Sequence, residues 1–191
     1  MVIYIHGFGG SGKGFKAGQL KEYYTSKGVN FLAPSLSYVP QLAISTLEDI
    51  ITACSKEDIK LIGSSLGGFY AIYLANKFNL KAVLINPSTK PNATLQRILK
   101  EGKATNFFDL STYEFNLNHL YMLKNYQVSK PNESLYMLML QKDDDVIDYT
   151  IAKEQFSNAK QIITTGGGHG FEGLQNYFKD IDSFLNITHL A

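Results

Sequence analysis

The sequence predicts an α/β domain: a six-stranded, mainly parallel sheet with helices on both faces. Two observations carry this. Short apolar runs alternate with longer segments of helical period, and Gly, Pro and Asn punctuate the joins. The first run, Met1 to Ile5, reads as a buried strand leading into Gly7-Phe8-Gly9-Gly10-Ser11-Gly12. Phe15 to Lys27 reads as a helix, Val29 to Ala33 as a strand stopped by Pro34, and Gln41 to Ser55 as a second helix. Ile59 to Gly63 is the next strand, Leu66 to Phe78 a helix of small and apolar residues, and Ala82 to Ile85 a strand ended by Asn86-Pro87. Ser134 to Leu140 resumes the pattern as a strand, followed by a helix over Tyr149 to Phe156, a strand over Gln161 to Thr165 and a closing helix over Phe171 to Phe184. Strands joined by helical crossovers pair in parallel and are buried on both faces.

Between Pro87 and Pro131 lie over forty residues where a crossover needs about a dozen, and they carry Phe107, Phe108, Tyr113, Phe115, Tyr121, Met122 and Tyr126. Their length and aromatic density predict a small helical cap over residues 88–130, placed above the strand ends where open α/β sheets bind ligands. Without repeats, low-complexity tracts or linker-like runs, residues 1–191 are expected to form a single domain.

Composition narrows the function classes. The 191 residues are 45% hydrophobic and 18% charged, and 18 Lys+Arg against 17 Asp+Glu leave a formal net charge of +1. That balance lacks the basic footprint of a nucleic-acid binder or a membrane-surface helix, so neither partner is expected. The single cysteine, Cys54, excludes an internal disulfide and a cysteine-based zinc cluster, and suits a reducing compartment. The leading run is too short for a signal peptide and no apolar stretch reaches 18 residues, so a cytoplasmic protein is expected. The Asn-x-Ser/Thr triplets at Asn92, Asn132 and Asn186 then carry no meaning.

The sharpest motif is Gly63-Ser64-Ser65-Leu66-Gly67, a Gly-x-Ser-x-Gly at a strand-to-helix join. A nucleophile elbow needs glycines two before and two after its serine because the turn is tight and strained. The turn presents the Ser65 hydroxyl at the carboxyl edge of the sheet and aims the Leu66 N–H at an oxyanion. The competing reading is a glycine-rich helix start in which Ser64 or Ser65 merely caps.

A serine nucleophile requires a histidine base and an acid to orient it, in the chain order Ser, Asp/Glu, His. His169 stands within Gly166-Gly167-Gly168-His169-Gly170, beyond the last strand and therefore at the same sheet edge. His119 falls in the cap-like segment and His189 in the tail, so both are poorer candidates. The acid should follow the strand Ser134 to Leu140, where Asp143, Asp144, Asp145 and Asp148 compete. Asp144 precedes Val146-Ile147, an apolar pair that would anchor the loop and aim the carboxylate at the histidine. Asp145 is the next choice, and Asp148 suits a cap for the helix starting near Tyr149. Asp144-Asp145-x-x-Asp148 also spells a metal-binding aspartate motif of prenyl-chain enzymes, but that motif belongs on a helix of an all-helical fold.

The loop Gly7-x-Gly9-x-x-Gly12 has dinucleotide-fingerprint spacing, yet the acidic residue expected near the end of the second strand is missing. It imitates a P-loop up to Lys13, but Gly14 replaces the Ser/Thr that would hold magnesium. The third reading takes His6-Gly7-Phe8 as an oxyanion loop, the Phe8 N–H joining that of Leu66, with His6 structural.

Together these motifs resemble the α/β-hydrolase superfamily, and within it the small bacterial YqiA-like esterases. The resemblance rests on His6-Gly7-Phe8, Gly63 to Gly67, Asp144 to Tyr149 and Gly166 to Gly170, and spans nearly the whole chain. Two departures stand out: Ser64 occupies a position where larger hydrolases commonly carry His, and Lys142-Asp143 one where glycine is usual. The resemblance implies an α/β-hydrolase fold and an esterase or thioesterase for short to medium acyl groups, with the triad Ser65, Asp144 and His169. It implies a small-molecule acyl ester or thioester as partner and no metal or organic cofactor. A monomer or homodimer is expected. The rivals are a catalytically idle hydrolase fold used for binding, and a nucleotide-dependent enzyme using Gly7 to Gly14.

Overall fold

The computed structural model describes residues 1–188. Six parallel strands form the central sheet in the order β2-β1-β3-β4-β7-β8. They are β1 (Val2–Ile5), β2 (Phe31–Leu32), β3 (Lys60–Ser64), β4 (Ala82–Ile85), β7 (Tyr136–Gln141) and β8 (Lys160–Thr164). The helices between them are α1 (Phe15–Ser26), α2 (Pro40–Ala53), α3 (Leu66–Phe78), α7 (Tyr149–Gln155) and α8 (Phe178–Leu185). Every residue of β1, β4 and β7 is buried, the signature of strands covered on both faces.

The period of two divides the core into two layers. Val2, Tyr4, Ile62, Val83, Ile85, Met137 and Met139 meet Leu20 and Tyr24 of α1 and Ile181 and Leu185 of α8. Ile3, Ile5, Leu61, Leu84, Leu138 and Leu140 meet Ala43, Ile44 and Leu47 of α2, the inner face of α3, and Phe156 beyond α7. In α2 the buried residues Pro40, Ala43, Ile44, Leu47 and Ile51 recur at helical spacing, so one stripe of the helix supplies the contact. Among the described residues no helix is long and apolar enough to cross a membrane.

Strand order reverses between β1 and β3, because the chain leaves β1 toward β2 and returns to the other side. The loops after β1 and β3 therefore diverge at the carboxyl edge and open a crevice, the usual binding place of open α/β sheets.

Several boundaries move for local reasons. The strand expected over Val29–Ala33 pairs only at Phe31 and Leu32. The strand expected from Ser134 begins at Tyr136, because the Asn132 side chain accepts from the Ser134 N–H and closes a short 3-10 turn over Glu133–Leu135. The helix expected from Phe171 begins only at Phe178, after a 3-10 turn at Leu174–Tyr177. Phe171 and Gly173 have φ of 56° and 72°, so the chain up to there belongs to the His169 loop.

The segment 88–130 holds the helices α4 (Pro91–Thr94), α5 (Gln96–Glu101) and α6 (Leu117–Lys124), and also an antiparallel hairpin of β5 (Lys103–Thr105) and β6 (Thr112–Glu114). Strands of three residues are too short to show a period. Of its aromatics Phe115 is buried, whereas Phe107 and Phe108 stand exposed at the hairpin tip. The Phe107 N–H donates to the Gly9 carbonyl at 2.8 Å and anchors this tip on the loop after β1.

Two glycines make opposite predictions. A Cβ on Gly12 would overlap the Ala33 carbonyl, so Gly12→Ala should lower stability by about 1–3 kcal/mol. Gly18 lies inside α1 with nothing within 4 Å of a new methyl, so Gly18→Ala should raise it by about 0.5–1 kcal/mol. Urea midpoints measured on the two variants beside the wild type check both signs.

Candidate active site

Ser65 sits between β3 and α3 with φ 56° and ψ −122°, a backbone conformation that L-residues seldom adopt. Its surroundings hold it there. The Ser65 N–H donates to Ile85 O at 3.0 Å, and its carbonyl accepts from Gly68 N at 2.9 Å and Ser88 N at 3.0 Å. A Cβ on Gly63 would overlap the Gly67 carbonyl, and one on Gly67 would overlap the Ile5 carbonyl. The glycines are therefore required by the approach of α3 to β1 and β3, and a helix start with a capping serine does not describe the turn: the Ser65 side chain caps no N–H.

The Ser65 hydroxyl faces His169, whose Nε2 lies 3.0 Å from Oγ, while His169 Nδ1 lies 2.9 Å from Asp144 Oδ2. A carboxylate oxygen only accepts, so these partners assign the proton to Nδ1 and leave Nε2 to accept from the serine. The structure thus brings together Ser65, His169 and Asp144. Asp143, Asp145 and Asp148 are exposed, and Asp148 caps α7 by accepting from the Thr150 N–H at 2.9 Å. His119 caps α6 instead, accepting from the Asn116 N–H at 3.1 Å, and His189 lies outside the described residues.

The Asp144 side chain is 1% exposed. Burial by itself would raise its pKa, but the bond to His169, the Ile147 and Val146 N–H groups and the His169 charge outweigh that and hold the carboxyl below its ordinary 3.8. The two N–H bonds to Oδ1, 2.8 Å from Ile147 and 2.9 Å from Val146, make the acid part of the turn that carries it.

Two side chains that motif reading passed over shape the histidine loop. Asn86, at the end of β4, is buried with φ 40°. Its Nδ2 donates to Gly168 O at 3.1 Å and His169 O at 3.3 Å, and its Oδ1 accepts from the Gln141 N–H at 3.0 Å. Gln141, the last residue of β7, accepts on Oε1 from Gly168 N and Glu172 N and donates through Nε2 to Glu172 O at 2.9 Å. Gly167, at φ 72°, leaves the room this needs: a Cβ there would overlap the Gln141 amide. The available signal was a polar residue immediately after each apolar strand. From the other side, Lys16 Nζ donates to Gly170 O at 2.8 Å.

In the loop after β1, His6 Nδ1 donates to Gly7 O at 2.8 Å and its Nε2 accepts from the Leu36 N–H at 2.9 Å. Both nitrogens are engaged in the neutral form, and burial lowers the ring's pKa despite the Gly7 bond. The N–H groups of Gly10, Gly12, Lys13 and Gly14 all donate within the protein, to Gly7 O, Ser35 Oγ, Ser11 Oγ and Ser11 O. Those four N–H groups are therefore already committed and do not face a phosphate. The Phe8 and Leu66 N–H groups, by contrast, donate to no protein acceptor among the described residues. Two cavities flank the loop. One of about 480 Å³ is lined by Phe8, Leu36, Leu66, Tyr70 and Tyr113, among others. The other, of about 320 Å³, is lined by Phe15, Lys16, Ser65, Phe107 and His169, among others.

A model of the family described as "Uncharacterised protein family (UPF0227)" matches residues 1–186. The chain belongs to this family. A UPF0227 protein of Serratia proteamaculans (strain 568) is 21% identical over 191 residues, covering 98% of this chain and 99% of the relative. Among solved structures, alpha/beta hydrolase domain-containing protein 10 from mouse superposes with a TM-score of 0.74 at 15% identity, over 97% of this chain and 89% of its own. Est1E from Butyrivibrio proteoclasticus does so with a TM-score of 0.69 at 16% identity, over 97% and 86%. This UPF0227 chain therefore has the α/β-hydrolase fold that its motifs led one to expect.

The loop bonds predict a stability effect. Gln141→Leu strands the Gly168 and Glu172 N–H groups, and should cost about 2–4 kcal/mol in urea unfolding while hydrogen exchange at those two amides accelerates. Asp144 predicts a pH dependence. Its folded pKa is depressed, so its contribution is fully present above 3.8 and disappears as pH falls through the lower folded value. The stability gap between wild type and Asp144→Asn should be widest above that pH and shrink in acid, as unfolding curves at a series of pH values would reveal.

Proposed function

We propose that this protein is a serine hydrolase, a carboxylesterase or thioesterase for short to medium acyl groups. The observation that carries the reading is the hydrogen-bonded line from Asp144 through His169 to Ser65, ending on a serine in a strained elbow. The depressed pKa of Asp144 keeps it ionised at neutral pH, where it holds the Nδ1–H tautomer of His169.

The chemistry follows from the geometry. Ser65 Oγ attacks the ester or thioester carbonyl as its proton passes to His169 Nε2, and Asp144 stabilises the imidazolium. The oxyanion is received by the Phe8 and Leu66 N–H groups, which have no other protein acceptor among the described residues. As the carbonyl re-forms, the bond to the alkoxide or thiolate breaks and His169 returns the proton to that leaving group. Water then attacks the acyl-Ser65 ester with His169 again as base, freeing the acid and restoring Ser65. Every proton is held by a group already in place, and the cycle calls on no cofactor. In this reading residues 88–130 act as a partial cap, their hairpin seated on the loop that carries Phe8.

The decisive experiment is intact-mass measurement after incubation with a fluorophosphonate. A single adduct is expected on the wild type and none on Ser65→Ala or His169→Ala. With p-nitrophenyl butyrate as substrate, either variant should lose about 10⁶ in kcat and Asp144→Asn about 10⁴. A folded wild type that stays unlabelled and hydrolyses no acyl ester would overturn the proposal.

A further inference from the structure

The proposed mechanism also divides the substrate between the two cavities. His169 protonates the leaving group, so that group lies on the His169 side, in the cavity of about 320 Å³ that Ser65 and His169 line. The carbonyl oxygen points to the Phe8 and Leu66 N–H groups, and the acyl chain is left to extend past them. There it meets the cavity of about 480 Å³, which Phe8 and Leu66 themselves line.

Three features of that larger cavity describe its occupant. Tyr70 lines it, is only 4% exposed, and its hydroxyl has no hydrogen-bond partner among the described residues. The oxygen is not one of the fully buried unpartnered atoms, so the hydroxyl opens onto the cavity, where a ligand can reach it. The walls are aromatic: Phe8, Tyr38 and Tyr113 join Tyr70, and Tyr38 stacks on Tyr113 with ring centroids 4.3 Å apart. Among the described residues Glu114 is the only carboxylate in the lining, and no lysine or arginine there could receive a carboxylate or phosphate.

We propose that this cavity is the acyl site and selects a neutral aromatic acyl group bearing a hydroxyl, seated by a hydrogen bond to the Tyr70 hydroxyl. The inference rests on the serine-hydrolase reading and names the substrate class of that same site. A flat ring lies against the aromatic walls, and its hydroxyl supplies the partner that Tyr70 lacks. An anionic acyl group is repelled by Glu114.

The test holds the leaving group constant. p-Nitrophenyl esters of 3-phenylpropanoate and of its 3-hydroxyphenyl and 4-hydroxyphenyl analogues are compared by kcat/KM in the wild type and in Tyr70→Phe. At least one hydroxylated ester should exceed the unsubstituted one by about tenfold in the wild type, and in Tyr70→Phe that ratio should fall to within about twofold of unity. No preference in the wild type, or a preference that survives in Tyr70→Phe, overturns the acyl-site proposal. The wild-type comparison decides the matter even if the variant does not fold. Fluorophosphonate labelling of Ser65 without turnover of any of these esters would sink this proposal alone. Absence of both labelling and turnover would sink the serine-hydrolase reading with it.

Discussion

The contact on which this structure turns is the approach of the α3 start to the ends of β1 and β3. Gly63 and Gly67 bring backbone against backbone there, and any side chain would push the Gly67 or Ile5 carbonyl aside. That approach bends the chain at Ser65 into a conformation that costs on the order of 1–3 kcal/mol. The Ile85, Gly68 and Ser88 hydrogen bonds hold the bend in place. It also sets Leu66 beside the loop after β1, at the crevice where strand order reverses. One steric requirement thus places the serine and the Leu66 N–H at one edge of the sheet, beside the loop that carries Phe8.

The histidine arrives by a separate route. Its loop is hung from the ends of β4 and β7 by Asn86 and Gln141, which between them bind the backbone of Gly168, His169 and Glu172. These amides give the loop backbone protein partners, and Lys16 ties the same loop to α1 through Gly170. Asp144 is similarly built into its turn by the Val146 and Ile147 N–H groups. The side chains that face one another are thus each supported by backbone hydrogen bonds a few residues away. Such support lets a mobile-looking glycine loop hold a ring within 3.0 Å of a serine hydroxyl.

Residues 88–130 lean on the same framework. The hairpin tip is anchored at Gly9, where φ is 66° and a Cβ would press on Thr105 and Phe107. Phe8 packs edge-on against Phe115 at 5.2 Å, so the loop carrying Phe8 is clamped between the sheet and the inserted segment. This contact gives Gly9 a structural purpose that neither nucleotide reading of the glycine pattern supplies.

Much of this is legible in the amino-acid sequence. Apolar runs buried on both sides announce parallel strands, and a Gly-x-Ser-x-Gly at a strand-to-helix join has few other physical explanations. The Val146-Ile147 pair favours Asp144 as an apolar anchor for the loop; Ile147 is buried, Val146 is exposed, and it is their backbone N–H groups that fix the carboxylate. Other features were decided only when the chain folded. β5 and β6 are too short to carry a period, so their antiparallel pairing is not legible along the chain. The helix expected at Phe171 yields to a turn because Gln141, 31 positions away, binds Glu172. Asn86 and Gln141 look like ordinary strand ends in one dimension. Local sequence encodes periodicity and backbone freedom, whereas the partner of a buried polar group is set by whatever the sheet order brings beside it.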